Sequence, residues 1–304
     1  MAAVAPRAAG GSVAAGTVTG ATRLVILRGH RGWVLCCAWS PDGAMLVSAS
    51  EDMTLKLWDA TTHTCVATLH GHRGVVMSCS WSPDGHTIAS GCLDRILKLW
   101  NVNTRSCEAT LEHDSIVWSC AWSPDGRSLA STDFKTLRVW DATTRSCTAS
   151  FTADAVLLCC AWSPDGRFVL LGGDTGTIKL WDVASRSCTA TLTGHTDGVR
   201  CCAWRPDGRS FVTASVEKTL KLWSAAAPFS CTATLSGHTD PVMSCSWSPV
   251  GVPSHPVAPT RRSSCGILPR GAALQHWKTL TLCALVPGAP TAACWHMAAT
   301  ATVP

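Results

Sequence analysis

The pentapeptide WSPDG at residues 39–43 decides how this chain is read, because it returns at 81–85, 122–126 and 162–166. The variants WRPDG and WSPVG stand at 204–208 and 247–251. The tryptophans that open these copies recur about every forty residues, the period of one supersecondary unit copied several times. A single unit cannot bury its own faces, so neighbours must stack.

Working outward from the first copy, residues 33–39 read WVLCCAW, an apolar run long enough for a fully buried strand. Ser40-Pro41-Asp42-Gly43 is turn chemistry, since proline presets φ and glycine accepts positive φ. A second strand follows over Ala44–Ser50, a third over Thr54–Trp58 with Leu55 and Leu57 alternating with Lys56, and a fourth over Thr64–Leu69. Four antiparallel strands per unit, repeated radially, describe the blades of an all-β propeller.

The formal charge of +5 is misleading as a global figure. Eight of the basic residues flank the repeats: Arg7, Arg23, Arg28, Arg31, Arg261, Arg262, Arg270 and Lys278. The repeats themselves are mildly acidic, which gives no footprint for nucleic acid. No apolar stretch is long enough to span a membrane as a helix, so no membrane partner is expected. Residues 1–21 lack the apolar core of a secretory signal and read as a disordered leader, with an organelle transit peptide as the alternative.

The chain has 18 cysteines, and most are locked to the repeat. Cys37, Cys79, Cys120, Cys160, Cys202 and Cys245 each lie two residues before a repeat tryptophan. Cys65, Cys107, Cys147, Cys188 and Cys231 recur in the fourth strands. Both sets read as reduced core thiols, and the adjacent pairs Cys36–Cys37, Cys159–Cys160 and Cys201–Cys202 point to opposite strand faces. No cysteines converge at zinc-site spacing, so no metal or cofactor is expected. Reduced thiols favour a cytoplasmic or nuclear setting.

The Gly-His dipeptides, the Ser-x-Asp turns and the closing Trp-Asp make residues 22–247 resemble the WD-repeat family. That resemblance implies a hydrogen-bonded structural tetrad in each blade. The first matches at His30, Ser48, Asp52 and Trp58, and the second at His72, Ser90, Asp94 and Trp100. The third keeps His113, Ser131 and Trp140, but a one-residue deletion shifts Asp133 out of register. The fourth has Ala153-Asp154 for Gly-His and Leu171 for the hydroxyl residue. The fifth keeps His195, Thr213 and Trp223, with the longer Glu217 at the acid position.

Five regular blades are expected, followed by an irregular sixth that opens at Gly237-His238 with Pro241–Trp247. The N-terminal strand within Arg23–His30 would close it, removing exposed sheet edges. KTLTLC at 278–283 echoes KTLKLW at 218–223 and would supply its third strand. The family most often builds seven blades, so the resemblance implies a ring cut short. The organisation is thus a leader over 1–21, a propeller over 22–251 and a degenerate tail over 252–304, read as an altered gene end.

The tetrad residues look reactive, yet they recur with the repeat and so read as internal cement rather than a triad. No phosphate loop, dinucleotide fingerprint, zinc-protease helix or nucleophile elbow is present, so neither catalysis nor a small-molecule substrate is expected. In this family, partner-contacting positions resemble the residues six and four before each first-strand tryptophan. The first set is Trp33, Val75, Ile116, Val156, Gly198 and Pro241; the second is Leu35, Met77, Trp118, Leu158, Arg200 and Met243. The resemblance therefore implies a protein-interaction scaffold that takes partner proteins or peptides on its narrow face. A substrate-recruiting subunit of a larger enzyme, such as a ubiquitin ligase, is the alternative. Packing between blades is the competing explanation for these apolar side chains.

Overall fold

In the computed structural model, the structure describes residues 25–247 and two further strands, Leu282–Ala284 and Trp295–Ala299. The leader and most of the tail lie outside the described residues.

Five four-stranded antiparallel blades form in sequence order, each an up-and-down meander. Blade 1 comprises Val34–Trp39, Met45–Ser50, Leu55–Asp59 and Cys65–Leu69. Blade 2 runs from Val76 to Glu112, blade 3 from Val117 to Thr152, blade 4 from Leu157 to Leu192 and blade 5 from Val199 to Leu235. The WSPDG segment turns the first strand into the second. In blade 1, Asp42 Oδ1 accepts from the Ser40 hydroxyl at 2.5 Å and from the Ala44 amide at 3.0 Å, while Gly43 takes φ 69°.

Neighbouring blades meet chiefly through their first strands, which makes those strands innermost. The second strand is the most buried, with Val47, Ile88, Ala130, Val169 and Val212 all sealed. The first strand of blade 1 is less buried than its apolar sequence implies, since every residue of Val34–Trp39 is half-buried, whereas Val76, Val117, Leu157 and Val199 seal the start of the other first strands. It has strand neighbours within and between blades, while its remaining side faces the centre of the ring. Tryptophans also join the blades. Trp81, Trp162 and Trp247 donate Nε1 to the carbonyls of Ala38, Ala121 and Ala203 at 2.9–3.0 Å.

Two expectations need correction. Cys65, Cys107, Cys147 and Cys231 are exposed rather than core residues, because the fourth strand is the outer edge of its blade. Nor do residues 241–246 form a strand; only Trp247 makes a bridge. Val242 and Cys245 nevertheless pack against blade 5 as a first strand does.

The N-terminal strand Val25–Leu27 pairs in parallel with Trp295–Ala299, which pairs antiparallel with Leu282–Ala284. The N-terminal strand thus joins a sheet with the tail, but through a segment that carries no repeat echo. Most of the 278–283 echo lies outside the described residues.

Candidate functional site

Two constellations recur around the ring, and their chemistry differs. The first is a polar chain inside each blade. In blade 1, Trp58 Nε1 donates to Ser48 Oγ at 2.8 Å, and that hydroxyl is 2.7 Å from His30 Nε2. His30 Nδ1 then lies 2.8 Å from Asp52 Oδ2. The order of donors fixes a neutral histidine with its proton on Nδ1. Blade 2 repeats the chain through Trp100, Ser90, His72 and Asp94, at 2.8, 2.8 and 3.0 Å. In blade 5, Trp223 donates to Thr213 at 2.9 Å, and Thr213 lies 2.7 Å from His195. Glu217 spans the extra methylene and still meets His195 Nδ1 at 2.5 Å.

Burial holds His30, His72 and His195 below the ordinary histidine range, partly opposed by their carboxylates. Burial would raise the Asp52 carboxyl, but hydrogen bonds from Thr54, the Arg31 amide and His30 hold it at about 2. Glu217 is held at about 2 by the same balance, through Thr196, Thr219 and His195. These acids have their hydrogen bonds inside the blade, which leaves them poorly placed to move a substrate proton.

Blades 3 and 4 depart from this pattern. His113 Nε2 lies 2.8 Å from Ser131 Oγ, which accepts from Trp140 Nε1 at 2.8 Å, but Nδ1 donates to the Leu111 carbonyl at 3.2 Å. Asp133, displaced by the deletion, is buried beside Arg138 at 3.4 Å instead. Burial pushes the His113 imidazole down to about 4. In blade 4 the register puts Ala153, not Asp154, at the histidine place: its amide bonds the Lys135 carbonyl as the His113 amide bonds that of Arg95. Leu171 and Ala153 are both buried, and Trp181 Nε1 has no acceptor among the described residues.

His72, Cys92 and Asp94 bring potential ligand atoms within 4.8 Å of one another. Asp94 is already engaged with His72 and the Arg73 amide, and Cys92 Sγ accepts from the Asp94 amide at 3.4 Å. A groove of about 400 Å³ between the turns of blades 3 and 4 carries Asp125 and Asp165. Both carboxylates are taken up by their own turns, through Ser123 and Ser163.

The second constellation lies where the innermost strands begin. Trp33, Val75, Val156 and Gly198 occupy one equivalent position: each carbonyl accepts from the amide just after that blade's second strand, at 2.9–3.0 Å. Ile116 holds the same offset from its tryptophan in blade 3, where the deletion shortens the facing turn and this bond is not made. Trp33 is 45 % exposed, Val75, Ile116 and Val156 are half-buried, Gly198 is buried and Pro241 exposed.

The residues two further along share a backbone feature that the sequence did not reveal. Leu35, Met77, Trp118, Leu158 and Arg200 are each skipped in pairing with the second strand, so each is a β-bulge. A bulge leaves its residue outside the ladder and re-aims its side chain. All five are half-buried, and Met243, at the equivalent place after blade 5, is 51 % exposed. Leu158 reaches toward the next blade, where a methyl group added to Gly198 would sit 3.4 Å from its Cδ1. Arg200 Nε is buried without a hydrogen-bond partner among the described residues.

The profile described as "IFT122 first beta-propeller" matches residues 33–190, more than half of the chain. The profile "WD domain, G-beta repeat" matches residues 186–224 and 229–252. The chain belongs to the WD-repeat β-propeller family. Its WD repeats also resemble single repeats of larger proteins. One segment is 49% identical over 39 residues to "WD repeat and SOCS box-containing protein 1" of Xenopus tropicalis, covering 13% of this chain and 9% of that protein. Another is 44% identical over 43 residues to "WD repeat-containing protein 18" of Bos taurus, covering 14% and 10%. A third is 48% identical over 42 residues to "Transcription initiation factor TFIID subunit 5" of Drosophila melanogaster, covering 14% and 6%. The matched stretches span a tenth or less of each relative. Among the described residues no helix is long and apolar enough to cross a membrane.

Proposed function

We propose that this propeller is a non-catalytic scaffold that grips a partner protein or peptide segment on the ring face carrying Trp33, Trp118 and Met243. The observation that carries the reading is the bulge repeated at Leu35, Met77, Trp118, Leu158 and Arg200. A feature repeated in five blades presents a crown of side chains that the ladders do not use. With Val75, Ile116 and Val156 beside them, they form an apolar ring that holds one cation. Apolar surface gathered in this way commonly marks a binding site, and Trp, Met and Arg are the types enriched there. Tryptophan anchors carry a large share of interface energy, commonly about 2 kcal/mol or more. The unpartnered Arg200 Nε favours a ligand that brings an acidic group beside its apolar anchors.

The partners proposed are proteins or peptides, in cytoplasm or nucleus; neither nucleic acid nor a small-molecule substrate is proposed. A substrate-recruiting subunit is the second reading, favoured only by the SOCS box in the name of one relative.

The test is selection of a displayed random peptide library on the full chain, followed by titration of the selected peptides. The reading expects apolar, acid-containing peptides whose binding weakens tenfold or more in Trp33→Ala or Trp118→Ala. Selected peptides that bind both variants as tightly as the parent chain would move the site elsewhere.

A further inference from the structure

The loops that carry each blade's histidine change charge around the ring in the register of the repeat. The residue after the histidine place is Arg31 in blade 1, Arg73 in blade 2, Asp114 in blade 3, Asp154 in blade 4 and Thr196 in blade 5. One residue further on, blades 1 and 2 have Gly32 and Gly74, whereas blade 5 has Asp197. These loops lie on the face that carries Trp33: the Arg31 amide donates to Asp52, and the Glu51 amide beside it donates to the Trp33 carbonyl. On blades 1 and 2 that face exposes Arg31, Arg73 and Arg95 against the half-buried Glu51. On blades 4 and 5 it exposes Asp154, Asp174 and Asp197 against Lys218.

The two sides also differ in what their charges already hold. Asp114 is ion-paired with Arg138, and Asp154 lies 3.1 Å from Lys179 of its own blade. Asp174 accepts from the Val156 amide at 3.1 Å, and Asp197 from the Gly198 amide at 2.7 Å. The side chains of Arg31, Arg73 and Arg95 make no ion pair among the described residues. Their loops are nonetheless fixed. The Arg31 and Arg73 amides donate to Asp52 and Asp94 at 2.9 Å. A Cβ at Gly32 or Gly74 would sit 2.9 or 3.1 Å from the Asp52 or Asp94 amide nitrogen, so glycine lets each loop close on its aspartate. Exposed apolar side chains stand with these arginines. Trp33 is two residues from Arg31, Leu93 is two from Arg95, and Met53 follows the Asp52 that holds the Arg31 amide. Blades 4 and 5 have no exposed large apolar residue among the described residues.

We propose that blades 1 and 2 form the anion-holding sector of the face. The bound segment lays apolar side chains on Trp33, Met53 and Leu93, and the carboxylates it extends beyond the inner crown meet Arg31, Arg73 and Arg95. This rests on the ring face being the binding surface, and it adds which sector of that face the partner's acids occupy. A guanidinium grips a carboxylate through two parallel N–H···O bonds, and a loop already fixed loses little freedom on binding. Asp154, Asp174 and Asp197 repel the same acids from the opposite side, which sets the direction in which the segment lies.

The experiment pans the full chain against two displayed peptide libraries with the same randomised apolar positions. One carries aspartate or glutamate at the remaining positions, and the other lysine or arginine. The acidic library should yield the tighter binders. Their affinity should fall about tenfold in the double variant Arg31→Ala, Arg73→Ala, with an unchanged melting midpoint, because those side chains hold nothing in the fold. On the parent chain the same affinity should fall severalfold as salt rises from about 0.05 M to about 0.3 M. A benzophenone placed beside the outermost acid of a selected peptide should cross-link to blades 1 and 2. An acidic library that yields no binder, acidic peptides that bind the double variant as tightly as the parent chain, or cross-links confined to blades 4 and 5 would overturn the proposal. If such peptides still weaken in Trp33→Ala, the binding face stands and only the sector is wrong; if Trp33→Ala is also without effect, both readings fail.

Discussion

Leu171 fills the site where the sister blades present a hydroxyl to tryptophan, and it leaves Trp181 Nε1 buried without an acceptor. Trp181 is only 1 % exposed, so water does not replace the missing oxygen at its surface. Blade 4 accepts a buried unpaired donor in return for an apolar centre in which Leu171 packs with Val169 and Trp181. A single Leu171→Ser change should therefore destabilise the protein, by about 1–4 kcal/mol, because lost packing outweighs one gained hydrogen bond. Adding Ala153→His supplies the histidine at the spacing of eighteen residues seen in the other blades. The double variant should recover at least about 1 kcal/mol relative to Leu171→Ser alone. Urea melts of the two single variants and the double variant measure the coupling, and strict additivity would contradict this account of the site.

Asp94→Ala should destabilise by about 1–3 kcal/mol, since it leaves His72 Nδ1–H and the Arg73 amide without their shared acceptor. Thermal melting reads the loss directly. An unchanged midpoint with partner binding abolished would assign Asp94 to recognition instead.

The pH dependence of stability should carry a His113 component. Burial lowers its pKa from 6.5 to about 4, with Arg138 lowering it further, while the Leu111 carbonyl and Asp114 pull the other way. Between those values the unfolded chain binds a proton that folded His113 excludes. The contribution is full above pH 6.5 and is lost as pH falls toward 4. Asp52 and Glu217, held at about 2, add a second loss below the ordinary carboxylate range, as pH falls from about 4 to about 2. In urea melts from pH 7 to pH 4.5, His113→Gln should flatten the first slope while lowering overall stability. A slope identical to that of the parent chain would contradict the assignment.

The bulges make a prediction about neighbouring residues. Val117 is fully buried and paired, whereas Trp118 is the skipped, half-buried residue beside it. Val117→Ala should cost about 1–2 kcal/mol by cavity formation, and Trp118→Ala should cost less despite removing far more atoms. Chemical denaturation ranks the two, and a larger cost at Trp118 would mean that it packs as core.

How much of this was legible in the sequence depends on the kind of spacing involved. The WSPDG period and the turn chemistry around Gly43 mark out the blades because a local pattern fixes them. Positions such as His30 and Ser48 follow from the repeat register. The bulge at Leu35 was hidden, since no turn residue or glycine marks it; the only hint was the constancy of its offset from Trp39. The seam contacts were half-legible. Cys36 and Cys37 were readable as facing opposite ways, but the 3.6 Å contact of the Cys36 thiol with the Cys79 carbonyl of the next blade depends on how blades stack. The edge position of Cys65 was missed because an alternating outer strand reads like an inner one. The place of Trp295–Ala299 beside Val25–Leu27 had no signal, because nothing in WHMAA repeats an earlier copy.

The central claim is that the innermost crown binds while the polar chains inside the blades hold the fold. Paired measurements of peptide affinity and melting midpoint for Trp33→Ala and Ser90→Ala test it most directly. The account predicts that Trp33→Ala loses tenfold or more in affinity with its melting midpoint nearly unchanged. Ser90→Ala should melt earlier, having orphaned Trp100 Nε1 and His72 Nε2, yet bind normally while folded. The reverse result, with Trp33→Ala unfolding the protein or Ser90→Ala abolishing binding in a folded chain, would contradict the account.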